Sequence, residues 1–95
     1  MSAYVIADVE VKDPETYAEY RRQVLPLVER HGGRFIVRGG VHRVLEGDWR
    51  PGRVVVIEFP DMAALDAWYR SPEYAALIRL RQGVSRGSLI AVEGV

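Results

Sequence analysis

The fold is decided by one stretch near the middle of the chain, Arg53-Val54-Val55-Val56-Ile57-Glu58-Phe59 (residues 53–59). Its run of β-branched residues favours a β-strand, because branched side chains pack well on a pleated surface. The run is apolar at both alternating positions, which is typical of a strand covered on both faces. Residues 53–59 therefore predict the central strand of a sheet.

The N-terminal third predicts a strand followed by a helix. Residues 3–11 alternate between two sets of side chains, as a strand with two different faces does. Asp13-Pro14-Glu15 suits a helix start, because it supplies a cap, a proline at the first position and an acid near the positive end of the dipole. Pro26 predicts a kink or a shift to a second segment, and Gly32-Gly33 ends the helix. The apolar helix face consists of Tyr17, Tyr20, Val24, Leu27, Val28 and His31.

The C-terminal half predicts a second helix that is interrupted once. It begins at Asp61, and the order of cap, proline and acid recurs at Ser71-Pro72-Glu73. Its apolar face is continued by Tyr74, Leu77, Ile78 and Arg81. The other predicted segments are a strand over 34–38, a short extension over 42–46, a turn-rich loop over 47–52 and, after Gly83, a last strand over 88–93.

The order of these elements is strand, helix, strand, strand, helix, strand. This order predicts an α+β, ferredoxin-like βαββαβ fold, in which two helices cover one face of a four-stranded antiparallel sheet. A length of 95 residues allows one domain, which we expect to span residues 1–95.

Composition excludes several classes of function. The chain has no cysteine, so disulfides, thiolate metal sites and a cysteine nucleophile are excluded. Its 13 basic and 13 acidic residues cancel, so no general attraction to nucleic acid or anionic lipid is expected. The sequence lacks a signal peptide and an apolar run of about 20 residues, so we expect a cytoplasmic protein without membrane contact.

The sheet face opposite the helices is expected to be largely apolar. The strand over 53–59 places valines or larger apolar residues on either face, and so does the last strand. A large exposed apolar patch is uncommon on a monomer, so we predict a homodimer that packs sheet against sheet.

Three charged residues lie among apolar neighbours on the predicted strands, namely Asp8, Arg38 and Glu58. A desolvated charge needs a partner, so the three are expected to form one cluster in which Arg38 bridges the acids. The cluster has two interpretations. It is either an ion pair that fixes the register of the dimer or a polar site in which a carboxylate with a raised pKa acts as a general base.

Four segments together resemble the bacterial domain-of-unknown-function 1330 family. They are residues 29–40 (ERHGGRFIVRGG), 45–49 (LEGDW), 55–60 (VVIEFP) and 67–74 (AWYRSPEY). The resemblance implies a ferredoxin-like subunit that pairs into a dimeric α/β barrel, and it implies no established reaction. Relatives of that wider architecture include cofactor-free oxygenases, haem-binding enzymes and small-molecule-binding proteins, but a shared fold does not settle function.

Metal, haem and nucleic-acid sites are not predicted. His31 and His42 are the only histidines and lack the spacing of a ligand pair, so no metal and no cofactor are expected. The basic stretch around Arg34 to Arg53 carries too few stacking aromatics for nucleic acid.

The remaining candidate is a pocket between the sheet and the helices or at the mouth of the barrel. Its predicted aromatic walls are Tyr17, Trp68, Tyr69 and Tyr74, with Trp49 at the rim. Arg38 is the predicted clamp for a carboxylate or enolate, and Glu58, Asp8 and His31 are the predicted acid–base residues. We therefore expect a protein that binds a small aromatic or acidic metabolite, with cofactor-free proton transfer or oxygenation as its chemistry. The alternative is a non-catalytic interaction module whose barrel serves only dimerisation.

Overall fold

The helices and strands follow one another in the predicted order. In the computed structural model, which describes residues 1–95, the sheet is antiparallel with the strand order β2-β3-β1-β4. The ferredoxin-like arrangement is confirmed, with the second helix divided into two segments. The elements are β1 (Ala3–Val11), α1 (Pro14–Arg30), β2 (Arg34–Arg38), β3 (Arg53–Phe59), α2 (Met62–Tyr69), α3 (Pro72–Val84) and β4 (Ser85–Glu93).

Side-chain caps start all three helices where the sequence predicted them. The Asp13 carboxylate accepts hydrogen bonds from the hydroxyl and from the backbone N–H of Thr16, and these two bonds lower the pKa of Asp13, the hydroxyl bond most. Asp61 caps α2, and the Ser71 hydroxyl accepts from the Tyr74 N–H at 3.2 Å at the start of α3. These caps satisfy backbone donors that no helical carbonyl can reach.

The structure differs from the prediction at three places in the chain. The helix α1 continues through Pro26, because Pro26 lies on the exposed side, where water can bond the carbonyl that the proline leaves unpaired. No strand forms over residues 42–46, which lie in an exposed connection without regular structure. α3 extends past Gly83 to Val84, whose carbonyl accepts the N–H groups of Lys12 and Asp13, and β4 begins at the next residue.

The core lies between the helices and one face of the sheet, here called the helix face. Alternate residues of β1 are buried, and their neighbours on β3 are buried with them. Trp68 and Tyr74 are fully buried against this face, with ring centroids 4.2 Å apart. The buried strand residues of this face are Ala3, Val5, Ala7, Val9, Val55, Ile57 and Phe59.

The opposite face of the sheet, here called the outer face, carries a continuous apolar row across all four strands. Ile6 on β1 lies opposite Val56 on β3 and Ile90 on β4, and Val56 lies opposite Val37 on β2. Ile90 is 59% exposed and Val37 is 39% exposed. The predicted apolar character of this face is thus present.

We expect Gly87→Ala to destabilise the sheet, because a Cβ atom there would clash with the backbone carbonyl oxygen of Asp8 on β1. A backbone atom in a ladder cannot give way easily, so we expect the free energy of unfolding to fall by about 1–3 kcal/mol. The matched control is Gly83→Ala, which adds the same methyl group inside α3 with open space around it and gains up to about 1 kcal/mol. Urea unfolding at one protein concentration measures both, and equal midpoints for the two variants would contradict the packing argument.

Candidate ligand-binding site

A cavity of about 290 Å³ lies between the helices and the helix face of the sheet. Residues of all four strands and all three helices line it, and most of them are apolar. The aromatic part of the wall is formed by Tyr17, Tyr20, Phe35, Trp68 and Tyr74. The cavity therefore has the mixture of apolar wall and few polar groups that is typical of small-molecule sites.

Two tyrosines form a buried hydrogen-bonded pair in this wall. The hydroxyl oxygens of Tyr20 and Tyr74 are 2.7 Å apart, and both residues are at least nine-tenths buried. Burial raises the pKa of Tyr20 and of Tyr74, so both hydroxyls stay protonated near neutral pH. Only one of the two protons lies between the oxygens, so the pair keeps one O–H free to donate elsewhere.

The cavity wall also holds every buried side-chain nitrogen that lacks a partner. These nitrogens are Arg53 Nε, Trp68 Nε1 and Arg81 Nε, and no other buried side-chain nitrogen or oxygen of the protein is left without a hydrogen bond. Arg81 is only 6% exposed, and its charge lowers the pKa of the neighbouring Tyr74 against the larger effect of burial. The lining residues include no Asp, Glu or His, and of the arginines among them only Arg22 forms an ion pair, with Glu19.

Glu58 lies on the outer face and is held by its neighbours on two strands. It accepts hydrogen bonds from Arg34 Nε at 2.8 Å and from the Tyr4 hydroxyl at 3.2 Å. The bond from Arg34 is the main reason why the pKa of Glu58 is lowered, and the Tyr4 bond adds to it. Glu58 is therefore a charged acceptor at neutral pH, contrary to the raised pKa expected of a general base.

Asp8 lies on the outer face as well and anchors the end of the loop over residues 39–52. Its two carboxylate oxygens accept hydrogen bonds from Trp49 Nε1 at 2.8 Å and from the backbone N–H of Gly52 at 2.9 Å. Trp49 remains 60% exposed and, through its bond to Asp8, lies over the outer face, so it does not line the cavity.

The expectation that Asp8, Arg38 and Glu58 form one cluster is wrong. A bulge between Phe35 and Val37 shifts the pairing of β2 with β3, so that Arg38 pairs with Val55 on the helix face. Without the extra residue, Arg38 would share the outer face with Arg34, because successive side chains alternate. Asp8 and Glu58 share that face but lie four residues apart in the register of β1 and β3.

The other predicted site residues divide between the cavity and the surface. Tyr17, Trp68, Tyr74 and Arg38 line the cavity, and their role in binding a ligand stays a prediction. Tyr69 is 42% exposed, with its ring centroid 6.0 Å from that of Trp68, and it lies outside the cavity.

His31 lies outside the cavity too. It follows the last residue of α1, and its ring Nδ1 is 3.0 Å from the Leu27 carbonyl oxygen. Nowhere in the chain do three or more His, Cys, Asp or Glu side chains converge as metal ligands. No helix has the length and apolarity to cross a membrane.

Tyr20, Arg53 and Arg81 line the cavity, although the sequence analysis did not predict them as site residues. A signal existed for Arg81, because it follows Tyr74 and Leu77 on the buried face of α3, where a charged residue is out of place. Tyr20 and Arg53 gave no comparable signal, since a tyrosine on a core face and an arginine at a strand start are both common.

Comparisons with known proteins show a family and a fold. The family model described as "Domain of unknown function (DUF1330)" matches residues 2–95. The structure is similar to RPA0582, a protein of unknown function from Rhodopseudomonas palustris, with a TM-score of 0.80 and 25% identity over 99% of this chain and 82% of that one. It is also similar to a dimeric ferredoxin-like protein of unknown function from Jannaschia sp. CCS1, with a TM-score of 0.73 and 18% identity over 99% of this chain and 100% of that one.

A third similar structure is SnoaB, described as a cofactor-independent oxygenase from Streptomyces nogalater. The TM-score is 0.67 at 11% identity, over 99% of this chain and 93% of that one, so the likeness concerns the fold. No curated protein matches the sequence.

We expect Asp8→Ala to loosen the loop over residues 39–52, because it removes the acceptors of both Trp49 and Gly52. Limited trypsin digestion reports this directly, since Arg43 lies in the loop and is followed by Val44, a bond that trypsin cleaves. Loss of two hydrogen bonds at a partly solvated site should speed cleavage there about three- to tenfold. The matched control Asp48→Ala removes an exposed carboxylate of the same loop. Equal cleavage rates in the two variants would show that Asp8 does not hold the loop.

Proposed function

Because the chain belongs to the DUF1330 family, which carries no assigned reaction, we propose from the cavity that this protein binds a small aromatic carboxylate between its helices and its sheet. The observation that carries the proposal is the concentration of the unpartnered buried donors of the protein in the wall of one apolar cavity. A bound carboxylate would give two of these donors, Trp68 Nε1 and Arg81 Nε, the acceptor that the chain itself does not supply.

The energetics favour an anionic ligand. A buried donor without a partner costs about 1–3 kcal/mol, and more when the group is charged. Arg81 Nε is such a donor on a charged group, and the free hydroxyl proton of the Tyr20–Tyr74 pair adds another donor to the wall. A ligand oxygen that accepts from these groups recovers that cost on binding, whereas an apolar ligand would leave them unsatisfied.

The size and the wall of the cavity favour an aromatic ring. A cavity of roughly 150 Å³ accommodates benzene, so about 290 Å³ leaves room for a substituted or fused ring. Trp68, Tyr74 and Phe35 offer ring faces and edges for stacking, which adds to the area that a planar ligand buries.

The chemistry that follows binding stays a prediction. Asp8, Glu58 and His31 lie outside the cavity, so proton transfer inside it would fall to the Tyr20–Tyr74 pair. Oxygenation stays a prediction as well, because the likeness to SnoaB concerns the fold alone. The cytoplasmic location also stays a prediction.

We propose in addition that two copies pair through the outer face. The apolar row from Val37 to Ile90 would be buried in such a pair, with Arg34, Glu58 and Asp8 around it as a polar rim. A similar structure is described as a dimeric ferredoxin-like protein, which supports this assembly. A closed two-fold dimer also removes an apolar surface that a monomer would leave wet.

The ligand proposal is tested by titrating the protein with naphthalene-2-carboxylate and with the uncharged naphthalene-2-carboxamide in a calorimeter. We expect the carboxylate to bind at least about tenfold more tightly, and Arg81→Met to remove that advantage by deleting a charge-assisted hydrogen bond. Trp68→Phe keeps an aromatic ring but removes the N–H group together with part of the ring system, so it should weaken binding of the carboxylate by a smaller factor than Arg81→Met does.

The control variant for this titration is Arg30→Met, which deletes an exposed arginine at the end of α1, outside the cavity. It should bind like the wild type, with circular dichroism confirming that each variant is folded. Equal affinity for acid and amide, or no binding of either, would overturn the proposal and favour the alternative of a module that only dimerises.

The dimer is tested by light scattering, which should give twice the chain mass of 10.7 kDa. Ile90→Glu places a charge in the middle of the apolar row and should yield monomers at micromolar concentration, since burying an unpaired charge costs several kcal/mol. Ala76→Glu adds the same charge on the exposed surface of α3 and should leave the mass unchanged. A wild-type monomer, or an Ile90→Glu variant that remains dimeric, would contradict pairing through this face.

A further inference from the structure

The cavity has a second positively charged end, formed by Arg38 on β2 and Arg53 on β3. Arg53 Nη2 donates to the Arg38 carbonyl oxygen at 3.3 Å, while Arg53 Nε is buried without a partner. The Arg38 guanidinium lies 5.7 Å from the centroid of the Phe35 ring. Neither arginine forms an ion pair, because the two ion pairs of the protein join Arg22 to Glu19 and Arg34 to Glu58.

A glycine holds Arg53 in this place. Gly39 has φ +74°, and a Cβ atom on it would overlap the guanidinium group of Arg53. Its N–H donates to the Val54 carbonyl oxygen at 2.8 Å, which ties the start of the loop to β3. The absence of a side chain at Gly39 therefore leaves the space in which the Arg53 guanidinium lies beside the cavity.

The two charged ends lie towards opposite edges of the sheet, both on its helix face. Arg81 and Leu89 together line a groove beside β4, whereas Arg38 belongs to β2, the other edge strand. Three strand spacings separate these edges, which amounts to roughly 14 Å between backbones, and the arginine side chains shorten the gap from both sides. Arg81 is buried and Arg38 is exposed, so one end is deep and the other lies at the mouth.

We propose that the ligand is an elongated aromatic diacid that is bound at both ends, an inference that rests on the proposed function. One carboxylate would accept from Arg81 and Trp68 at the deep end, and the second would accept from Arg38 and Arg53 at the mouth. The aromatic body between them would pack on the apolar wall. A dianion of this shape neutralises both charged ends, which no acid of the chain does.

The test compares three ligands that share one ring system. Naphthalene-2,6-dicarboxylate carries its acids at opposite ends, naphthalene-2,3-dicarboxylate carries the same charge at one end, and naphthalene-2-carboxylate has a single acid. We expect the 2,6-diacid to bind at least about tenfold more tightly than the monoacid, as an added charge-assisted hydrogen bond allows, and the 2,3-diacid to gain less than about threefold.

Substitutions at Arg38 and Arg53 test whether the higher affinity of the 2,6-diacid comes from contacts at the mouth of the cavity. Arg38→Gln and Arg53→Gln should each reduce the advantage of the 2,6-diacid and leave the affinity for the monoacid within about twofold. Arg50→Gln is the matched control, because Arg50 is exposed and donates only to loop carbonyls. A 2,6-diacid that binds no better than the monoacid, while Arg81→Met still weakens the monoacid, would overturn this inference and leave the proposed function standing. If neither acid binds, both fail.

Discussion

The bulge between Phe35 and Val37 is the constraint on which the rest of the site depends. One extra residue in β2 turns the side chains after it to the other face of the sheet, so Arg34 meets Glu58 on the outer face and Arg38 meets the cavity. Two arginines only four residues apart therefore serve different surfaces. The first fixes a carboxylate beside the apolar row, and the second leaves its charge free at the mouth.

Arg81 shows the conflict between stability and binding in this cavity. A cation removed from water without a counter-charge lowers the stability of the folded chain, and Arg81 is buried and forms no ion pair. A ligand that binds only the folded state and supplies that counter-charge stabilises the protein by mass action. The same residue that weakens the isolated subunit would thus give the bound state its selectivity for anions.

The sequence predicted the elements better than it predicted the site. Alternation along β1 and the caps at Asp13, Asp61 and Ser71 are local patterns, so their outcome follows from nearby residues alone. The bulge has no local signature in the sequence. Strict alternation along β2 would place Arg38 on the outer face, and the sequence analysis therefore grouped it with Asp8 and Glu58. The pairing of Tyr20 with Tyr74 joins residues 54 positions apart, and only the folded chain brings them together.

The junction of α3 and β4 has a consequence for the length of the chain. Because Ser85 follows Val84 with no loop between helix and strand, one inserted residue would either rotate the end of α3 by roughly 100° or reverse the two faces of β4. Either change would move Arg81 relative to Leu89. Over most of the loop at residues 39–52, an inserted residue would not displace a helix or a strand in this way. Among related chains, insertions and deletions should accordingly gather between β2 and β3 and be missing at residues 84–85.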